Sequence, residues 1–353
     1  MYRKRLLSIT SIGLLLVLFL SAVTPVAANT DTARELSIEE AVAMALEASK
    51  ILEKNTLNLE SVYDNLQDAQ DEWNEAWTIY PDMEQYYVAF LKARYSYTSA
   101  LTNEQIQKES IALETRSKYY NVMRSSKNLE QKNKELELVQ REHYIVQSKY
   151  QFGLTDWSDL RHAAASLADA EASVLDAKNS LDSAYRSFNQ LIGLDESSTP
   201  ALTEVPVFTG LEVENVESTV IDIINGSPDI YLSDENIKLL ELVVKYTDSS
   251  DQDKLNLKLA EISRVITTTE SINALINVYN SIVSLEKSYS IEQDKLENAE
   301  LELKYTKLKN SVGLVSNTEV LNAELALMKQ QNNLFAILCQ HQLLKIEFEK
   351  PWI

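Results

Sequence analysis

From Leu160 onward apolar positions recur in alternating steps of three and four: Leu160, Ala163, Leu167, Ala170, Val174, Ala177, Leu181, Ala184, Phe188 and Leu191. That spacing is a coiled-coil repeat and predicts a long helix with a partner along its whole edge. Large residues alternating with alanine let two helix backbones approach closely. The stretch ending at Val312 carries two stripes, Leu285, Tyr289, Leu296, Ala299 and Leu303 on one track and Leu301, Tyr305, Leu308 and Val312 on another. Two stripes predict two neighbours, as a wall or closed barrel of helices requires, although an ordinary bundle with a wide apolar face also carries such a pattern. Helix breakers are sparse: after residue 28 they occur only at Pro81, Gly153, Gly193, Pro200, Pro206, Gly210, Gly226, Pro228, Gly313 and Pro351. The unbroken run from Asp82 to Phe152, at ~1.5 Å per residue, predicts a helix roughly 100 Å long.

The pattern is duplicated. Phe152-Gly153-Leu154-Thr155-Asp156-Trp157-Ser158-Asp159-Leu160 aligns with Val312-Gly313-Leu314-Val315-Ser316-Asn317-Thr318-Glu319-Val320 at a constant offset, 313 − 153 = 160. The seam follows at the same offset, Ala163 with Ala323, Leu167 with Leu327, Val174 with Leu334 and Phe188 with Phe348. Further upstream, Ala41 to Leu52 resembles Thr219 to Ile230, at 219 − 41 = 178, so the second copy is 178 − 160 = 18 residues shorter before its glycine. Self-similarity at this range means two copies of one unit. Each unit reads as a short opening helix, a rising helix, a turn, a long descending helix, a glycine turn and a returning helix. The expected fold class is all-α: two tandem repeats of long α-helical hairpins with coiled-coil-like packing. Expected boundaries are a leader at 1–28, a first hairpin repeat at 29–194, a linker at 195–215 and a second hairpin repeat at 216–353.

Composition narrows the function. The 353 residues carry 33 Lys+Arg against 53 Asp+Glu, a net charge of −20, with no basic run, so a phosphate backbone would be repelled and no nucleic acid is expected as a partner. The single cysteine, Cys339, excludes a disulfide scaffold or a Cys-rich metal centre. Arg3, Lys4 and Arg5, then the apolar stretch Leu14 to Leu20, then Pro25 and the small residues to Ala28 read as an export signal, with an uncleaved anchor as the alternative. Without the three basic residues the charge becomes 30 − 53 = −23. His143, His162 and His341 are far apart in the chain, and His143 and His341 fall on or beside apolar stripes, where a packing role is the expectation. No phosphate loop, nucleophile elbow or His-paired nucleophile is visible, and Glu39 and Glu40 suit a helix's first turn. No catalytic residue, no cofactor and no metal site is expected.

Three features combine into a resemblance: Leu36-Ser37-Ile38-Glu39-Glu40-Ala41-Val42 opening the mature chain, the Asn189-Gln190-Leu191-Ile192-Gly193-Leu194 ending, and the duplicated Gly-Leu turns. Together they resemble the TolC family of outer-membrane efflux proteins over nearly all of residues 35 to 350. The resemblance implies an α-barrel protomer, a homotrimer enclosing a conduit, and an outer-membrane or cell-envelope location. It also implies coupling to a periplasmic adaptor (membrane fusion protein) and an inner-membrane pump that deliver small molecules or proteins for export. It implies that the tips Phe152, Gly153, Leu154 and Thr155, and Val312, Gly313, Leu314 and Val315, meet the adaptor. Asp159 and Glu319 stand where the family places pore-entrance carboxylates, which would favour cations; solvated helix-start acids are the plainer reading. Asn322 stands where a second carboxylate is expected, and Asn310 and Val315 stand where some members have a gating Tyr and Arg.

One departure is large. Family members insert two β-strands between the rising and descending helices of each repeat, whereas Trp77 to Met83 and Tyr246 to Leu255 have no room for strands of about 9 to 11 residues. The expectation is a protomer without the β-barrel. Trp73, Trp77, Tyr80, Tyr86, Tyr87, Phe90, Tyr95 and Tyr97 crowd the first of these turns. They suit a lipid surface or a partner, or else the hairpin's own core. Two functions remain open: an efflux conduit, or an envelope scaffold that keeps the hairpins without transport.

Overall fold

The computed structural model describes residues 35–79, 83–246 and 250–353, except for the side chains of 77–79. The expected leader, the Tyr80 and Pro81 positions and the Trp77 side chain lie outside the described residues. Eight helices occur among the described residues: α1 Ile38–Ala48, α2 Lys50–Ile79, α3 Glu84–Gln151, α4 Trp157–Ile192, α5 Val216–Asn225, α6 Pro228–Tyr246, α7 Asp251–Ser311 and α8 Asn317–Glu349. Each repeat follows the same order of opening, rising, descending and returning helix. The opening is set locally: Ser37 Oγ accepts the Glu40 N–H at 3.2 Å and Glu40 accepts the Ser37 N–H at 3.0 Å, a reciprocal cap that places Glu39 and Glu40 in the first turn.

The helices form a wall. Toward the end remote from the glycine turns, α2 packs on α3, α3 on α6 and α6 on α7; toward the glycine turns, α4 packs on α3, α3 on α8 and α8 on α7. The wall therefore has two unlike lateral edges, α2 and α4 on one side and α7 on the other. A second, partial layer covers one face at mid-height, with α1 against α3 and α4 and α5 against α7.

Every residue of the α4 seam from Leu160 to Leu191 is buried or half-buried. Phe188 meets Tyr119 edge to face at 5.9 Å, in a cluster with Ile111, Val122, Phe335 and Cys339. Phe188 is fully buried, so Phe188→Ala should cost about 3–5 kcal/mol through lost transfer and a residual cavity. A urea melt reads this as a lower midpoint at constant slope; an unmoved midpoint would show that the cluster does not hold the repeat.

Helix α7 splits its two stripes. Leu285, Tyr289, Leu296, Ala299 and Leu303 are half-buried, whereas Leu301, Tyr305, Leu308 and Val312 are exposed. One stripe thus has its neighbour within the chain, and the other has none that buries it among the described residues.

The linker is a strap. Its Ala201–Leu202 strand (β2) pairs in parallel with Glu35–Leu36 (β1), in register Glu35 with Ala201 and Leu36 with Leu202. Tyr119 ties the pair to the wall, donating its hydroxyl to the Leu36 carbonyl and accepting the Glu204 N–H, each at 2.9 Å. The Glu204 carboxylate accepts the Ile38 N–H at 3.0 Å. Farther along, Phe208 stacks on Tyr289 with ring centroids 4.0 Å apart, and the Leu211 N–H donates to Glu286 at 2.7 Å. Glu286 also lies 3.1 Å from Nε2 of the fully buried His341, so this histidine does take a hydrogen-bonded packing role.

At the far end only residues 80–83 separate α2 from α3, and only 247–250 separate α6 from α7. Neither connection holds a pair of bilayer-spanning strands, each of which takes about 9–11 residues. The nearby aromatic rings join helices: Trp73 lies 4.9 Å from Tyr87, Tyr63 lies 5.6 Å from Tyr97, and Tyr87 meets Tyr246 edge-on at 5.6 Å. They link α2, α3 and α6, as the hairpin-core reading requires. No helix among the described residues is long and apolar enough to cross a membrane.

Candidate functional site

The two glycine turns lie at one end of the wall and share a single geometry. Gly153 and Gly313 have φ of 70° and 76°, in the left-handed region that a glycine enters without strain. The Gly153 N–H donates to the Tyr150 carbonyl at 3.0 Å and the Leu154 N–H to that of Lys149 at 2.8 Å. The Gly313 N–H donates to Asn310 and the Leu314 N–H to Lys309, each at 2.9 Å, so both bonds recur at the same offset. These bonds satisfy the last carbonyls of α3 and α7 and reverse the chain. The next helix starts at once: Asp156 accepts the Asp159 N–H at 2.9 Å, and Ser316 accepts the Glu319 N–H at 3.2 Å.

A turn this tight leaves its apolar residues nothing to pack on. Phe152 is 79% exposed and Leu154 74%; in the second turn Val312 is 70% exposed and Leu314 75%. Thr155 and Val315 are half-buried beneath them. Trp157, 63% exposed and 6.0 Å from Tyr150, belongs to the same surface, a place the repeat alone does not assign to it. Its signal was an aromatic at the first helical position, directly after a capping aspartate.

The acidic candidates are occupied by the turns. Asp159 accepts a short hydrogen bond from the Thr155 hydroxyl. Glu319 accepts the Ser316 N–H at 2.6 Å and its hydroxyl at 3.0 Å, which holds its carboxyl below the ordinary range. A lowered pKa contributes stability that is present above the unfolded value and lost as pH falls through the folded one. Protection of the first-turn amides of α8, taken as exchange relative to the intrinsic rate at each pH, should therefore fall on acidification below about pH 4. Glu319→Ala, which leaves no side-chain acceptor for the Ser316 N–H, should show that low protection throughout. Equal exchange in the two proteins at neutral pH would refute the cap. Asn310 donates its side-chain amide to the Val315 carbonyl at 2.9 Å and so closes the second turn, and Asn322 is exposed three residues beyond Glu319.

Elsewhere, burial pushes the Cys339 thiol up to about 12, and His143 is half-buried while His162 is exposed. Among the described residues no three His, Cys, Asp or Glu side chains are grouped to hold a metal ion.

Neither a protein-family model nor a curated protein sequence matches the chain. Solved structures do. The outer-membrane channel OprN superposes with a TM-score of 0.67 at 12% identity, covering 94% of this chain and 99% of that one. The Campylobacter jejuni CmeC outer-membrane channel gives 0.63 at 12% identity, covering 89% and 85%. The open state of the Neisseria gonorrhoeae MtrE outer-membrane channel gives 0.61 at 12% identity, covering 88% of each. The chain therefore has the fold of outer-membrane channel protomers, as its resemblance to the TolC family implies, with short connections where that family carries membrane strands.

Proposed function

We propose that the chain is a TolC-like efflux conduit subunit of the cell envelope, a homotrimer whose two repeats, 29–194 and 216–353, supply staves of one helical barrel. One observation carries the reading: the wall ends in two unlike edges that complement each other. The α7 edge presents Leu301, Tyr305, Leu308 and Val312, in steps of four, three and four. The α4 edge presents exposed Ala165, Ala168, Ala172 and Leu175, in steps of three, four and three. Large residues on one helix and small ones on the other let neighbouring copies interdigitate closely. Toward the far end α7 also exposes Leu255, Leu259, Ile262 and Ile266, and α2, on the other edge of the wall, exposes Ile51, Leu57 and Tyr63. Unlike edges meet head to tail, and such contacts close into a ring when the rotation permits.

The tips then lie together at one mouth of the duct. Phe152, Leu154 and Trp157, with Val312 and Leu314, offer an apolar surface for a periplasmic adaptor linked to an inner-membrane pump. Glu319 and Asp159 border that mouth as helix-start acids; a cation-attracting ring there belongs to this proposal too.

The experiment is conductance of the purified assembly in a planar bilayer, with and without its adaptor. Discrete channel openings support the conduit. A bilayer that stays silent in both conditions, although the assembly co-floats with the same lipid, favours the scaffold reading, for which the short connections at 80–83 and 247–250 speak.

A further inference from the structure

The face of the wall turned away from α1 carries a chemistry that differs from the rest of the described residues. On α3, Tyr119 and Val122 are buried in the cluster that holds α1, whereas Asn121 lies two residues, about 200°, around the helix from Tyr119. Beside it, between α3 and α8, runs a groove of about 310 Å³ lined by amides and two cations. Arg124 and Lys127 supply the charge; Asn121, Asn128, Gln131 and Asn332 supply hydrogen-bonding groups.

The groove is partly preorganised. Asn332 donates its side-chain amide to the Lys127 carbonyl at 3.3 Å and to Gln131 Oε1 at 3.0 Å, which orients both amides. The Lys127 ammonium sits 4.9 Å from the centre of the buried Phe335 ring, held over the groove floor. The charges are also uncompensated. Flanking lysines on the same helices are paired, Lys118 with Glu114 at 3.4 Å, Lys132 with Glu135 at 2.7 Å and Lys329 with Glu135 at 3.0 Å. Among the described residues neither Arg124 nor Lys127 has a carboxylate partner, in a chain where acids outnumber bases 53 to 33.

We infer that this groove binds a small anionic solute, a carboxylate or phosphate on a hydrogen-bonding body. Arg124 and Lys127 take the charge, and the amides of Asn121 and Asn128 take the remainder, Gln131 being engaged by Asn332 and by Glu135 at 3.2 Å. Charge-assisted bonds of this kind are about twice as strong as neutral ones. That the groove faces a duct rests on the conduit reading; the binding itself does not.

The test is calorimetric titration of the full-length chain at low ionic strength with citrate, inorganic phosphate and neutral sucrose. Citrate or phosphate should bind in the millimolar range and sucrose should not. Binding of citrate alone assigns a carboxylate ligand, of phosphate alone a phosphate ligand, and of both a site selecting charge. The R124Q/K127Q double variant, altered only at the surface of the groove, should lose at least about tenfold in affinity. Lys54→Gln, on the exposed face of α2, should leave binding unchanged. No anion binding, or an equal loss in Lys54→Gln and the double variant, would overturn the inference. Conductance of the unmodified assembly separates the two readings: a conducting parent that binds no anion retires the groove and leaves the conduit, whereas anion binding by a silent parent retires the conduit and leaves the groove.

Discussion

Aspartate at Tyr305 and Leu308 should leave the chain folded and abolish the proposed trimer. Both side chains lie on the α7 edge, 54% and 57% exposed, so a charge there stays hydrated in the single chain. In the assembly both would be driven against the alanine edge of a neighbouring α4, where Arg161 is the one exposed base continuing the track of Ala165, Ala168 and Ala172, so at least one carboxylate stays unpaired. Burying an unpaired carboxylate costs several kcal/mol, and the penalty recurs at each interface of a ring. Circular dichroism should show native helix content, with a cooperative melt below that of the parent because the monomer lacks the stability that association adds. Sedimentation velocity should show one slow species in place of the fast one. A variant that sediments like the parent would mean that copies associate through some other surface.

The second large effect falls on the tips. Gly153→Val combined with Gly313→Val forces β-branched residues into left-handed backbone at φ 70° and 76°, costing roughly 1–2 kcal/mol or more at each site. A Cβ built at either glycine meets nothing within 4 Å, so the cost is conformational and not a clash. The turns must open, moving the exposed Phe152, Leu154 and Leu314 from their places, while the buried seams remain. Export through the assembly should fall by at least about tenfold, with little change in global melting, since the strain sits at hairpin ends that contribute few buried contacts. Asparagine at the same positions, which tolerates left-handed backbone, should preserve most export. Undiminished export in the valine double variant would remove the tips from adaptor coupling.

What was legible in the sequence is what is written locally. The Leu160 to Leu191 seam repeats in a period set by helix geometry, so its burial followed from spacing alone. The glycine turns combine a left-handed position with a capping residue three places on, and their hydrogen bonds recur 160 residues later without change. The second α7 stripe was equally visible, but its partner is absent from the chain's own packing, so spacing revealed a demand without showing what meets it. The strap was missed because its chemistry is distant in sequence: Tyr119 joins Leu36 to Glu204, and Glu286 joins Leu211 to His341, with no periodic pattern linking them. The two-residue β1 and β2 strands fell below any strand signal for the same reason. At the tips, identity alone placed Asp159 and Glu319 at helix starts, but only geometry shows Glu319 held by both the Ser316 N–H and its hydroxyl.

The central claim is lateral closure of unlike edges, and the mass of the unmodified chain in solution, by light scattering at micromolar concentration, tests it most directly. The account predicts a monodisperse species of three times the chain mass. A stable single-chain mass across that range would contradict it.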